Sequence, residues 1–203
     1  MSFRSSLARN AFVASVLIAP PAASAQHSGP QGGSSQASAP REASQFGFLI
    51  GQWALTVTPK VNSLAARIHG APTYKGSWKA WRAFDGYGIE DELRIADRSG
   101  NPNSLSHALR IFDVTGNRWT QTVLDVYRGR FTTATGAWKD GAMRFAGEST
   151  DAEGKRVMYR SRFFDITPTS FRFESDRSTD GGRTWDTGAV KIAATRVSAV
   201  APR

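Results

Sequence analysis

The chain contains no cysteine among its 203 residues, which excludes disulfides, thiol catalysis, cysteine-bound metals and a lipid-modified N-terminal cysteine. Histidine is scarce, three residues in all, with none after His107. Neither H-E-x-x-H nor His-x-His spacing occurs, so no metal site is expected. G-x-S-x-G and glycine-rich phosphate loops are also missing, and no residue is assigned as catalytic. The longest apolar run, Ala11 to Ala19, falls short of the roughly 20 residues a transmembrane helix needs, so membrane insertion is not expected. Without any long Lys/Arg run, nucleic acid is not an expected partner either.

What stands at the start of the chain is an export pattern. Arg4 and Arg9 precede the apolar run, and Ala23-Ser24-Ala25 follows it, the layout of a secretory signal peptide over residues 1–25 with cleavage before Gln26. The protein is therefore expected to be periplasmic or secreted. Loss of the two arginines leaves 24 basic against 17 acidic residues, a balance of +7. That excess favours anionic partners in general, although solvated strand faces account for most of it. Residues 26–44, rich in Ser, Gly, Pro and Gln, bury too little to order themselves and read as a flexible leader.

Residues 45–197 form the expected single domain, with 198–203 as a tail. Within it turn signals recur: Asp85-Gly86, Ser99-Gly100-Asn101-Pro102, Thr115-Gly116-Asn117, Arg128-Gly129, Asp140-Gly141, Glu153-Gly154, Thr167-Pro168 and Asp180-Gly181-Gly182. Between them lie runs rich in β-branched and aromatic residues, such as Trp119 to Val126, Arg156 to Phe164 and Phe171 to Ser175. No long amphipathic helix fits in the gaps. Short turns between all neighbours exclude the long return of a Greek key and predict an all-β, antiparallel up-and-down meander. Twist and unpaired edges favour closing about nine or ten such strands into a barrel. Charged outer faces, as at Glu90, Glu92 and Arg94, suit water outside rather than lipid.

The opening stretch Phe46-Gly47-Phe48-Leu49-Ile50-Gly51-Gln52-Trp53 resembles the F-x-x-L-x-G-x-W entry of calycin-type barrels, the group of lipocalins, fatty-acid-binding proteins and nitrobindins. The resemblance covers residues 45–197 and implies a barrel whose base is closed by a short turn and plugged by the Trp. With the meander, the chain is similar to an uncharacterised bacterial family with a lipocalin-like or nitrobindin-like barrel. Nitrobindin-like haem sites take their axial His from near the C-terminus, where this chain has none, so neither haem nor another cofactor is expected.

Ser178-x-Asp180-x-Gly182-x-Thr184-Trp185 is similar to the Asp-box of sialidase propellers. A propeller would repeat it in every blade, and this chain has one copy, so it reads as a stabilised structural turn. Ser and Asp oxygens would accept loop N–H bonds and Trp185 would pack beneath.

Two polar residues stand among branched aliphatics on strands around Ser99-Gly100. Ile89, Asp91, Leu93 and Ile95 share one face of the first strand, and Leu105, His107, Leu109 and Ile111 share one face of the second. Both faces are expected inside, with His107 opposite Leu93 and diagonal to Asp91. One reading makes this pair a ligand-orienting or proton-transferring dyad in a cavity; another makes it a satisfied internal pair, or places the His at an open end. Arg82 alternates with Tyr74, Trp78, Ala80 and Phe84, which would turn it inward towards an anionic ligand, whereas an inner face of Trp81 and Ala83 would turn it out. Arg160, Arg162, Arg172 and Glu174 are expected to pair across strands on the outer surface.

These residues lead to an exported barrel that binds a small apolar, amphipathic or anionic ligand through His107, Asp91, Arg82 and Trp78. The alternatives are an enzyme using Asp91 and His107 for proton transfer, and a structural or stress-related barrel with a filled interior. Oligomeric state is not legible in the sequence.

Overall fold

A computed structural model describes residues 38–61, 68, 72–151 and 153–197. The signal-peptide and tail assignments, and the leader up to residue 37, lie outside the described residues. Ten strands follow in order: β1 (Gly51–Pro59), β2 (Tyr74–Ala83), β3 (Gly88–Ala96), β4 (Pro102–Asp113), β5 (Arg118–Asp125), β6 (Arg130–Lys139), β7 (Ala142–Thr150), β8 (Arg156–Phe164), β9 (Ser170–Ser178) and β10 (Asp186–Arg196). Each pairs antiparallel with its sequence neighbour, and β1 pairs with β10 to close the barrel. The meander and its closure are thus as the turn spacing predicts.

All eight turn signals fall at the junctions of consecutive strands from β2 to β10, with Pro102 as the first residue of β4. Asp140-Gly141 is the tightest: Lys139 pairs directly with Ala142, and both loop residues have positive φ, 51° and 71°. Asp tolerates and Gly favours that conformation, whose twist matches the flanking strands.

A 3₁₀ helix, Arg41–Leu49, precedes β1 and closes one end of the barrel. It begins inside the stretch read as leader, and its own Ala43 is buried. Phe46 and Leu49 are fully buried, and Trp53 donates its indole N–H to Leu49 O at 2.8 Å. Phe46 meets Trp119 edge-on at 4.7 Å and Phe163 at 5.9 Å. Trp119 in turn donates to Gln45 Oε1 at 2.9 Å. Burying each such side chain contributes about 1.5–3 kcal/mol, so this aromatic plug anchors the helix across the base.

Candidate functional site

Along the barrel axis the interior changes character. The base is aromatic, built from Phe46, Trp53, Trp119, Phe145, Phe163 and Phe171. Beyond it lies an internal cavity of about 300 Å³. Its walls carry Leu93, Ile95, Val123, Phe173 and Val190 together with the hydroxyls of Ser106, Thr132, Tyr159, Ser161 and Ser175.

Four polar side chains, Trp78, Asp91, Arg110 and Gln121, border the cavity next to the aromatic base. Asp91, on β3, is 2% exposed. Its Oδ1 accepts the indole N–H of Trp78 at 2.7 Å, and its Oδ2 is in contact with Arg110 Nη1. Trp78 and the guanidinium are donors only, so both Asp91 oxygens act as acceptors, the bonding of a carboxylate. Arg110, on β4, donates from Nε to Gln121 Oε1 at 3.1 Å, directly across the β4–β5 ladder. Its guanidinium also lies 5.5 Å from the Phe46 ring centroid and 5.9 Å from that of Phe163. Burial pushes the Arg110 pKa down to about 9, which still leaves the side chain cationic at neutral pH.

Tyr159, on β8, is held protonated by burial, which raises its pKa, and donates to Thr133 O at 3.1 Å. Its hydroxyl has room because Gly147 stands directly opposite on β7: a Cβ there would lie 2.7 Å from it.

Of the residues singled out from the sequence, Asp91 and Trp78 meet at this cavity, and Arg82 and His107 do not. Arg82 shares the inward alternation of Trp78 and Ala80 but lies exposed near the end of β2. His107 corrects the expectation for β4. It pairs with Glu92 rather than Leu93, and its Nε2 stands 3.5 Å from Glu90 Oε2 on the outer face, beside the Trp81 ring. The inner face of β4 is instead Ser104, Ser106, Ala108, Arg110 and Phe112, and no internal Asp91–His107 pair exists.

The cause is a register shift. The loop closes through Asp97, whose carboxylate accepts the N–H groups of Ser99 and Asn101, and pairing shifts between Ile95 and Ala96. Such an irregularity changes which face each residue takes. Leu109 and Ile111 are left over a third exposed, while Phe112 packs edge-on against Trp119 at 5.7 Å. The sequence reading thus missed Arg110 and Gln121. The signal that marks them is the large Phe112/Trp119 pair, which fixes the inner face of both strands.

The Asp-box residues form the expected turn between β9 and β10. Ser178 Oγ donates to Asp180 Oδ1 at 2.8 Å and accepts Gly182 N–H at 2.9 Å. Asp180 accepts the backbone N–H of Thr184 at 2.9 Å and its hydroxyl at 2.6 Å, while Trp185 donates to Gly182 O at 3.0 Å. Outside the barrel, Arg160 pairs with Asp176 and Arg162 with Glu174, both at 2.7 Å, whereas Arg172 turns to Asp165 at 3.5 Å. Among the described residues, no group of three or more potential His, Asp or Glu ligands could hold a metal ion.

No family model matches the chain, and no curated protein matches it. Among solved structures, a redesigned β-barrel, mFAP0, bound to DFHBI is similar at 11% identity and a TM-score of 0.39, with 73% of this chain and 99% of that one covered. EF1p2_mFAP2b, bound to DFHBI, is similar at 11% identity and 0.40, covering 76% and 98%. The S-type phycobiliprotein lyase CPES from Guillardia theta reaches a TM-score of 0.51 at 10% identity, covering 77% of this chain and 92% of that one. The chain therefore shares with that lyase a calycin-like barrel fold.

Proposed function

We propose that this protein is an exported binding barrel that holds a small, largely apolar molecule in its interior, oriented by Asp91, Arg110 and Gln121. The observation that carries the reading is the cavity of about 300 Å³ whose apolar walls converge on a few buried polar groups. That combination is the general form of a small-molecule site. A buried ion pair contributes little net stability over a packed apolar core, so a role in ligand orientation gives a reason for its presence. The phycobiliprotein lyase shares the barrel fold, which is compatible with this use. Export rests on the Arg4, Arg9 and Ala23-Ser24-Ala25 pattern, and membership of an uncharacterised bacterial barrel family rests on the Phe46 to Trp53 entry.

The full chain is expressed in a bacterium with a periplasm, and its processed N-terminus and compartment are determined. Processed protein is incubated with periplasmic extract, and retained small molecules are identified by mass spectrometry. Val123→Trp, which fills the cavity from β5, serves as the control. A molecule retained by the wild type and lost in Val123→Trp is the expected result. Equal retention by both would sink the internal site, unprocessed cytoplasmic protein would sink export, and chemical change of the molecule would turn the reading towards an enzyme.

A further inference from the structure

We infer that the ligand of this cavity is uncharged and presents a hydrogen-bond acceptor to the Arg110–Gln121 end. The inference rests on the binding reading above and concerns the class of molecule admitted. Among the described residues, one acidic and one basic side chain line the cavity, Asp91 and Arg110, and they are already paired with one another. Apart from the Trp78 indole, whose N–H is taken by Asp91, the remaining polar lining is hydroxyl or amide: Ser106, Gln121, Thr132, Tyr159, Ser161 and Ser175.

An internal arginine suggests an anion site, but here its charge is answered within the protein. A carboxylate entering beside Arg110 would also enter beside Asp91, leaving the buried site with one uncompensated negative charge. It would be stripped of water as well, a cost that a second carboxylate next to the first increases. A neutral carbonyl, ether or hydroxyl oxygen avoids both penalties.

Donors are what the polar end has to offer such an oxygen. Asp91 spends both oxygens on Trp78 and Arg110, and Gln121 spends its carbonyl on Arg110 Nε. Guanidinium N–H groups beyond those two contacts remain to donate, as does the Gln121 amide N–H that the Tyr159 hydroxyl does not take. The leucine, isoleucine, valine and phenylalanine walls suit the apolar body of the same molecule.

Two probes on one skeleton test this: the ketone 6-propionyl-2-dimethylaminonaphthalene and the carboxylate 6-dimethylamino-2-naphthoate, titrated by fluorescence at neutral pH. The wild type is expected to bind the ketone at least about tenfold more tightly. Asp91→Asn, which leaves the Arg110 charge unanswered, is expected to shift the ratio towards the carboxylate by at least about tenfold. Equal or tighter binding of the carboxylate by the wild type overturns the inference while leaving the binding reading intact. That comparison decides the matter even if Asp91→Asn does not fold. No binding of either probe, or binding that Val123→Trp does not reduce, overturns the binding reading itself.

Discussion

Arg110 on β4 and Asp91 on β3 form an ion pair inside the barrel, their side chains only 5% and 2% exposed. They sit diagonally across the β3–β4 ladder, since Asp91 faces Ala108 and Arg110 faces Ile89. Removing one partner of a buried pair strands the other charge, at a cost of about 3–5 kcal/mol, whereas replacing both with apolar side chains is often neutral. Arg110→Met alone is therefore expected to lose stability on that scale in urea unfolding, and the Asp91→Leu/Arg110→Met double variant to recover most of it. Additive losses would show the two residues to be uncoupled.

At the closed end, Arg196 on β10 ties the entry segment to the sheet. Its guanidinium donates to Ile50 O at 2.8 Å, Phe48 O at 3.1 Å and Pro168 O at 2.7 Å, and lies 4.1 Å from the Trp53 ring centroid. Arg196→Ala is expected to cost about 2 kcal/mol, and Arg196→Lys to restore little of it, because an ammonium cannot span three carbonyls and stack on the indole. Urea midpoints followed by tryptophan fluorescence measure both. Recovery by Lys would mean that charge alone matters here.

Asp180 ties stability to pH. Hydrogen bonds from the Thr184 hydroxyl, the Thr184 backbone N–H and Ser178 hold its carboxyl well below the usual carboxylate range. In the unfolded chain it titrates near about 3.9. Its stabilisation is therefore fully present above that value and is lost as pH falls through the lower folded-state value. The Tm advantage of wild type over Asp180→Asn is expected to be constant near neutrality and to shrink as the solution is acidified below pH ~4. A difference independent of pH in that window would show that the carboxylate charge is not what the turn uses.

Gly147 is a packing requirement of the cavity wall. A Cβ there would press on Thr133 O and Ala134 as well as on the Tyr159 hydroxyl. Gly147→Ala is expected to lower stability by about 1–3 kcal/mol through overpacking. Combining it with Tyr159→Phe should recover part of that loss in thermal unfolding. No recovery would locate the strain at the backbone contact instead.

Much of the architecture was legible because its signals are local. The glycine- and asparagine-bearing turns carry conformations that few other residues favour, so strand number and meander order follow from their spacing. The β3 face was legible in the same way: Ile89, Asp91, Leu93 and Ile95 alternate cleanly, and the strand places them inside. Trp78 and Asp91 were recognisable for that reason. Arg110 and Gln121 were not, because on β4 the aliphatic alternation of Leu105, Leu109 and Ile111 points outward and carries His107 with it.

The residues by themselves determined the strands, their order, the closing of the barrel, the Asp180 turn and the inward placement of Asp91. Tertiary structure alone decided what β4 and β5 bring to the cavity beside Asp91 and Trp78. A register shift near Ala96 and the packing of Phe112 on Trp119 set which side of β4 faces in, and alternation within one strand has no knowledge of its neighbour's register. That one-residue difference took His107 out of the interior and put Arg110 against Asp91, replacing a proton-transfer pair with a neutralised ion pair beside the cavity.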